Sequence, residues 1–207
     1  MIAIIDYGAG NLNSVSKALK KIGAESIITS DPDVIKSSAA MILPGVGSFG
    51  AAMSNIRGMG LDQTIKENSR AGKPLLGICL GMQLLFDRSF EDGEWEGLGL
   101  LRGDIVKFEN PMLKIPHMGW NQLILNRNAP IGAGINQGDY VYFVHSYFAV
   151  PRDTDDVIFY TEYGTQVPAV VQKDLLVGMQ FHPEKSADTG MRLLQNFIDL
   201  VRKAEGV

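Results

Sequence analysis

The chain is poor in the residues that anchor several classes of function. Of its 207 residues one is cysteine, Cys79, and three are histidine, at 117, 145 and 182. A single cysteine forms no internal disulfide, so nothing in the sequence asks for an oxidising compartment. One thiol and three scattered imidazoles match none of the ligand spacings that bind zinc, and no metal or cofactor is expected. There are 19 lysines and arginines against 23 acidic residues, a formal net charge of −4, with no basic run. Nucleic acid and anionic membrane surfaces are therefore not expected as partners. No apolar stretch approaches the roughly 20 residues of a membrane span. The opening MIAIIDYG lacks the basic start and cleavage-type small residues of a signal peptide. A cytoplasmic protein is the simplest expectation.

What is present is an ordinary globular composition, 45% hydrophobic and 20% charged, at a length that suits one domain over 1–207. IAII (2–5), SIIT (26–29), AMIL (40–43) and PLLGI (74–78) are short apolar runs that predict strands. Between them, Leu12, Val15, Ala18, Leu19 and Ile22 recur at helical spacing, and Gly23 is placed to end that helix. Further helices are expected around 51–57 and 61–70, from 80 to 86, and from 189 to 202. DPDVIKSS reads as a connection and EDGEWEG (91–97) as a solvated loop. Apolar strands alternating with amphipathic helices predict an open, mostly parallel central sheet with helices on both faces. Residues 100–182 change character: DIVKF, NQLIL, YVYFVHSYFAV, VIFYTEY, PAVVQ and LLVGMQF predict additional antiparallel strands, in the same sheet or a small side sheet.

The lone thiol sits in GICLGMQLLF (77–86), where a strand meets a helix with a glycine two residues away on each side. Glycine-x-nucleophile-x-glycine is the layout of the nucleophile elbow, in which larger neighbours would clash with the tight turn. A helix N-terminus also favours thiolate over thiol. A free cysteine is more commonly a small apolar core residue, so a second group is needed to argue chemistry. GMQFHPEKS (178–186) supplies it. LLVGMQF leads as a strand to His182, and Pro183 disfavours helix at the residue before it. In extended backbone residues 182 and 184 point to the same side, so Glu184 can orient the imidazole. Nucleophile, base and orienter then sit at strand carboxyl ends, where ligands of open α/β sheets bind. PGVGSFG (44–50) also ends a strand. It lacks the lysine of a phosphate loop, and its glycines leave backbone N–H groups free to approach a substrate oxygen. His145, in YFVHSYF, reads as a half-buried strand residue, and His117, in IPHMGWN, as a surface or packing residue.

GICLGMQ followed about 100 residues later by FHPE resembles the class I, triad-type glutamine amidotransferases, whose fold is flavodoxin-like. DYGAGNLNSV (6–15), PGVGSFG, HMGWN (117–121), YFVHSY (142–147) and GMQFHPEKS together are similar to one branch of that family, the glutaminase subunits of imidazole glycerol phosphate synthases. The resemblance covers essentially the whole chain. It implies Cys79, His182 and Glu184 as catalytic triad, with an oxyanion held by the backbone N–H of Leu80 and one from the Gly45–Val46–Gly47 loop. It implies glutamine contacts from Gln83, from Gly47 and from the backbone of His145, Ser146 and Tyr147. It also implies a heterodimer with a (β/α)8-barrel cyclase that receives the ammonia, with Asn11, Trp120, Tyr142 and Lys185 as candidate interface residues. The glutaminase subunits that serve anthranilate or pyridoxal phosphate synthesis remain alternatives with the same triad. A non-catalytic module that keeps an elbow cysteine is a third. It would tolerate Cys79→Ser and resist glutamine-analogue electrophiles.

Overall fold

The computed structural model describes residues 1–206. Strands β1 (Ile2–Ile5), β2 (Ser26–Thr29), β3 (Ala40–Gly45) and β4 (Leu75–Cys79) alternate with helices α1 (Leu12–Lys21), α2 (Pro32–Ser37), α3 (Phe49–Gly58) and α4 (Leu61–Arg70). Helix α5 (Leu80–Gln83) follows β4 without a break. Then come β5 (Arg88–Ser89), β6 (Trp95–Glu96), β7 (Gly103–Lys107), β8 (His117–Gln122), β9 (Ile124–Leu125), β10 (Tyr140–His145) and β11 (Tyr147–Pro151). Strands β12 (Val157–Glu162), β13 (Gln166–Lys173) and β14 (Leu176–Met179) precede the last helix, α6 (Ala187–Glu205).

The main sheet has the order β2-β1-β3-β4-β14-β13-β12-β9. Its first five strands run parallel, and β13, β12 and β9 extend it antiparallel. Side chains of a strand alternate between faces, so β1 feeds both layers. Ile2 and Ile4 pack with Val15 and Leu19 of α1 and Leu194 and Phe197 of α6. Ala3 and Ile5 join the opposite cluster, with Ile35 of α2, Met53 and Ile56 of α3 and Ile65 of α4. Each isoleucine fully buried this way contributes about 1.5–3 kcal/mol. The expected parallel sheet covered on both faces is therefore what forms.

Several local expectations change. DPDVIKSS is not a plain connection: Asp31 accepts from the Asp33 N–H at 2.8 Å, and Pro32 opens α2. That is an N-cap followed by proline at the first helical position. LLVGMQF is not an antiparallel addition, because β14 pairs parallel to β4, inside the main sheet. The expected helix over 80–86 stops at Gln83, and the chain turns through i−3 bonds from Leu85 and Phe86 to Met82 and Gln83. YVYFVHSYFAV is two strands in two sheets. β10 pairs antiparallel with β8, whereas β11 pairs with β7 in a four-stranded sheet. The break falls at Ser146. EDGEWEG is not simply solvated: Glu91 Oε2 accepts the Phe49 N–H at the start of α3 at 2.5 Å, and the Trp95 ring lies against Gly50. Among the described residues, no helix is long and apolar enough to cross a membrane.

Candidate active site

Strands β4 and β14 lie side by side and parallel, so their carboxyl ends open on the same rim. Cys79 is the last residue of β4 and also caps α5, with φ +55° and ψ −114°. A non-glycine residue at positive φ costs on the order of 1–3 kcal/mol and persists only where the surroundings enforce it. The enforcement is close packing. A Cβ at Gly81 would sit on the carbonyl oxygen of Leu43, and one at Gly77 would stand 2.6 Å from the carbonyl oxygen of Gly81. Neighbouring β3 ends in register, Gly45 opposite Cys79. The glycines that flank the thiol are thus required by β3 and by the elbow itself.

His182 follows β14 in extended backbone, φ −97° and ψ 98°, and Glu184 lies in the single 3-10 turn after it. The carboxylate reaches back, and Glu184 Oε1 meets His182 Nδ1 at 2.9 Å, with both side chains buried. Ser186 locks this segment by donating to the His182 carbonyl at 2.7 Å while accepting the Tyr142 N–H at 3.0 Å. Cys79 and His182 line one cavity of about 340 Å³. Cys79 is only 6% exposed, and it lines the cavity. Burial pulls the His182 imidazole down, but contact with Cys79 and the Glu184 carboxylate outweighs it, and the group is pushed up to about 9. The ring therefore carries a proton easily, and with Glu184 on Nδ1 it is Nε2 that remains for chemistry at the thiol.

The other cavity walls come from the elements that the sequence nominated and one that it did not. Val46, Gly47, Leu80, Gln83, His145, Ser146 and Tyr147 all line it. Gly45 lies just behind, against Leu80 and the buried Tyr7 ring, whose hydroxyl has no partner. Gln83 uses its amide nitrogen twice, on the Tyr147 carbonyl at 2.8 Å and on Gln180 Oε1 at 3.0 Å. A carbonyl only accepts, so the amide orientation is fixed and Gln83 can offer a ligand only its oxygen. Glu91 also lines the cavity, with one carboxylate oxygen on the Phe49 N–H and the other available. A carboxylate and an amide oxygen on one wall suit a ligand ammonium. Glu91 was hidden by its position in a polar, glycine-containing stretch. Gln180, fully buried just past the end of β14, points its Nε2 at the Cys79 sulfur at 4.0 Å; its place two residues before His182 was the only available signal. His117 is buried rather than superficial, stacked between Phe143 and Tyr163 at 4.7 and 3.9 Å.

Asn11, Trp120, Tyr142 and Lys185 lie outside the cavity. Trp120 is half exposed and its ring meets Tyr142 at 6.1 Å. Lys185 is exposed, and its turn touches both β10 and α1, at whose start Asn11 lies. Among the described residues, no group of three or more histidine, cysteine or acidic side chains could hold a metal ion.

The family model "Glutamine amidotransferase class-I" matches residues 3–200. The chain belongs to that family. Relatives of this amidotransferase include the imidazole glycerol phosphate synthase subunit HisH of Caldanaerobacter subterraneus subsp. tengcongensis, 50% identical over 98% of this chain and 99% of that protein. The HisH subunit of Aquifex aeolicus is 48% identical over 98% of this chain and 96% of its own. Among solved structures, one described as a glutamine amidotransferase superposes with a TM-score of 0.77 over all of both chains at 20% identity. PurLQS from Thermotoga maritima gives 0.75 at 20% identity, covering 96% of this chain and 97% of that one. At such identities the structures establish the amidotransferase fold, and the sequence relatives carry the finer likeness.

Proposed function

We propose that this amidotransferase is the glutaminase subunit of an imidazole glycerol phosphate synthase. It hydrolyses L-glutamine to L-glutamate and ammonia and delivers the ammonia to a cyclase partner. The observation that carries the reading is the elbow thiol of Cys79 sharing one cavity with an imidazole that Glu184 holds at 2.9 Å. The names of the sequence relatives support the acceptor reaction. Cys79 attacks the side-chain amide carbon, and His182 takes the thiol proton. The oxyanion that forms is held by the Leu80 N–H and by an N–H of the Gly45–Val46–Gly47 loop. His182 returns the proton to the departing ammonia, leaving a glutamyl thioester. Water, deprotonated by His182, then hydrolyses the thioester and frees the thiol. Glu184 keeps the imidazole aligned throughout.

The substrate α-ammonium is received by Glu91 and the Gln83 oxygen. Its α-carboxylate is received by backbone groups of Gly47 and of the His145–Ser146–Tyr147 wall. Gly47, at φ +95°, permits a peptide flip at little steric cost, so the loop can complete the oxyanion hole when the partner is loaded. Ammonia loses its nucleophilicity on protonation in water, so the product needs a sheltered route. The partner is a (β/α)8-barrel cyclase in a cytoplasmic heterodimer, docked over Asn11, Trp120, Tyr142 and Lys185. There ammonia joins a phosphoribulosyl-formimino aminoimidazole carboxamide ribonucleotide. The test mixes the chain with that cyclase and measures glutamate release with and without the ribonucleotide. Release that rises strongly with both is expected; high turnover by the chain alone, unaffected by either, would refute the partnered reading.

A further inference from the structure

Two buried histidines stand apart from the triad, joined in a chain of hydrogen bonds that reaches the glutamine cavity. His145 Nδ1 lies 2.9 Å from the Tyr147 carbonyl, and its Nε2 lies 2.9 Å from His117 Nδ1. His117 Nε2 in turn meets the side-chain nitrogen of Asn121 at 3.2 Å. Backbone groups of fixed polarity set both ends, directly at one and through the Asn121 amide at the other. At one end the Tyr147 carbonyl only accepts, so His145 carries its proton on Nδ1 and accepts at Nε2. His117 must then donate from Nδ1 and accept at Nε2. At the other end the Asn121 oxygen accepts the Gln122 N–H at 2.8 Å, and its nitrogen donates to the Glu162 carbonyl at 2.9 Å. That independently leaves a nitrogen to donate to His117. The two ends demand the same direction, and only two neutral Nδ1–H rings satisfy both. Burial pulls His117 down to about 4 and His145 to about 3, in keeping with neutral rings.

We infer that His117 and His145 are positioning residues: a one-way relay from Asn121 of β8 holds the Tyr147 carbonyl, and with it the 145–147 wall, in place to receive glutamine. The inference rests on the glutaminase reading of that cavity. The anchored carbonyl has a direct consequence there, because it also accepts from Gln83 at 2.8 Å, which fixes the oxygen that Gln83 offers to substrate. Ser146 is where β10 leaves one sheet and β11 enters another, with His145 paired to His117, Tyr147 paired to Lys107 and the Phe108 N–H on the Ser146 carbonyl at 3.3 Å. The relay adds a side-chain restraint to this backbone pairing at the point where the chain changes sheets. It also ties the wall to β8, whose opposite face presents Met118 and Trp120 to solvent. A partner seated on that face would press on the strand that roots the relay.

The test has three readouts. Long-range nitrogen–proton NMR on the unsubstituted chain should show His117 and His145 as neutral Nδ1–H tautomers between pH 6 and 8. An Nε2–H tautomer or an imidazolium at either position overturns the relay. His117→Phe keeps the stack between Phe143 and Tyr163 but can neither donate nor accept. In the complex with cyclase and acceptor ribonucleotide it should raise the KM for glutamine about tenfold, the scale of one lost buried hydrogen bond, with kcat within about twofold. His117→Asn, whose amide nitrogen replaces Nδ1 as donor to His145, should stay within about threefold of the parent KM. An unchanged KM in His117→Phe, or a fall in kcat alone, refutes the positioning role. Failure of the unsubstituted complex to release glutamate would instead refute the glutaminase reading. The tautomers, with the carbonyl carbon shift of Tyr147 moving in His117→Phe, would still decide the relay.

Discussion

Cys79 is where local strain and chemistry meet, and the two can be separated. Its φ of +55° suits glycine far better than any side chain. Cys79→Gly and Cys79→Ala should both abolish glutamate release. By thermal or urea unfolding, the glycine variant should be the more stable of the two by roughly 1 kcal/mol, because only glycine relaxes the elbow. Equal stabilities would mean that the turn is not strained. His182 gives a pH signature of defined sign. Its folded value of about 9 lies above the unfolded 6.5, so the folded chain holds the extra proton between those values. The stability it contributes is fully present below pH 6.5 and is lost as pH rises through about 9. The proton needed by leaving ammonia is lost over the same approach to pH 9, so the alkaline limb of glutamate release should fall there. Glu184→Gln removes one of the groups that raise the imidazole and should move that limb to lower pH. A limb that stays in place would separate Glu184 from the titration of His182.

Among the elements, the strand–elbow–helix unit at Cys79 is the least tolerant of change. Gly81→Ala would drive a methyl group into the Leu43 carbonyl, so it should cost several kcal/mol or prevent folding, as overpacking against immobile backbone does. Helix α2 offers the opposite case. Asp31→Ala removes its N-cap and should lower stability by about 1 kcal/mol without touching glutamate release. The same two elements show what the sequence made legible. GICLG announced its turn because glycine spacing and a lone thiol leave few other uses, and FHPE did so because proline fixes the backbone between the imidazole and the carboxylate. Asp31-Pro32 carried an equally physical signal, a cap before a proline, that the surrounding polar residues obscured. Glu91, Gln180 and the His117–His145 pair were out of reach for a different reason. The contacts of Glu91 with Phe49, His117 with His145 and Gln180 with Cys79 span 28 to 101 residues of sequence, and no local pattern encodes which buried polar atoms will meet. The split of YVYFVHSYFAV into two sheets likewise depends on β7 and β8, not on the run itself.

For the whole molecule, the histidines divide by environment into two opposite pH limbs. His117 and His145 are depressed to about 4 and about 3, so their stabilisation is present above the unfolded 6.5 and is lost as pH falls toward those values. With His182 weakening the fold toward pH 9, unfolding free energy measured against pH should be dome-shaped. His117→Phe should flatten the acid side only. The site itself exists because the parallel order of the main sheet brings β4 and β14 together, although about a hundred residues separate Cys79 from His182. That convergence is the central claim, and active-site labelling tests it most directly. The assembled complex is treated with a glutamine-analogue diazo-ketone and its intact mass is read. One adduct per chain, located at Cys79, blocked by glutamine and slowed at least a hundredfold in His182→Ala, is the expected result. An unlabelled Cys79, or labelling that ignores both glutamine and the loss of His182, would contradict it.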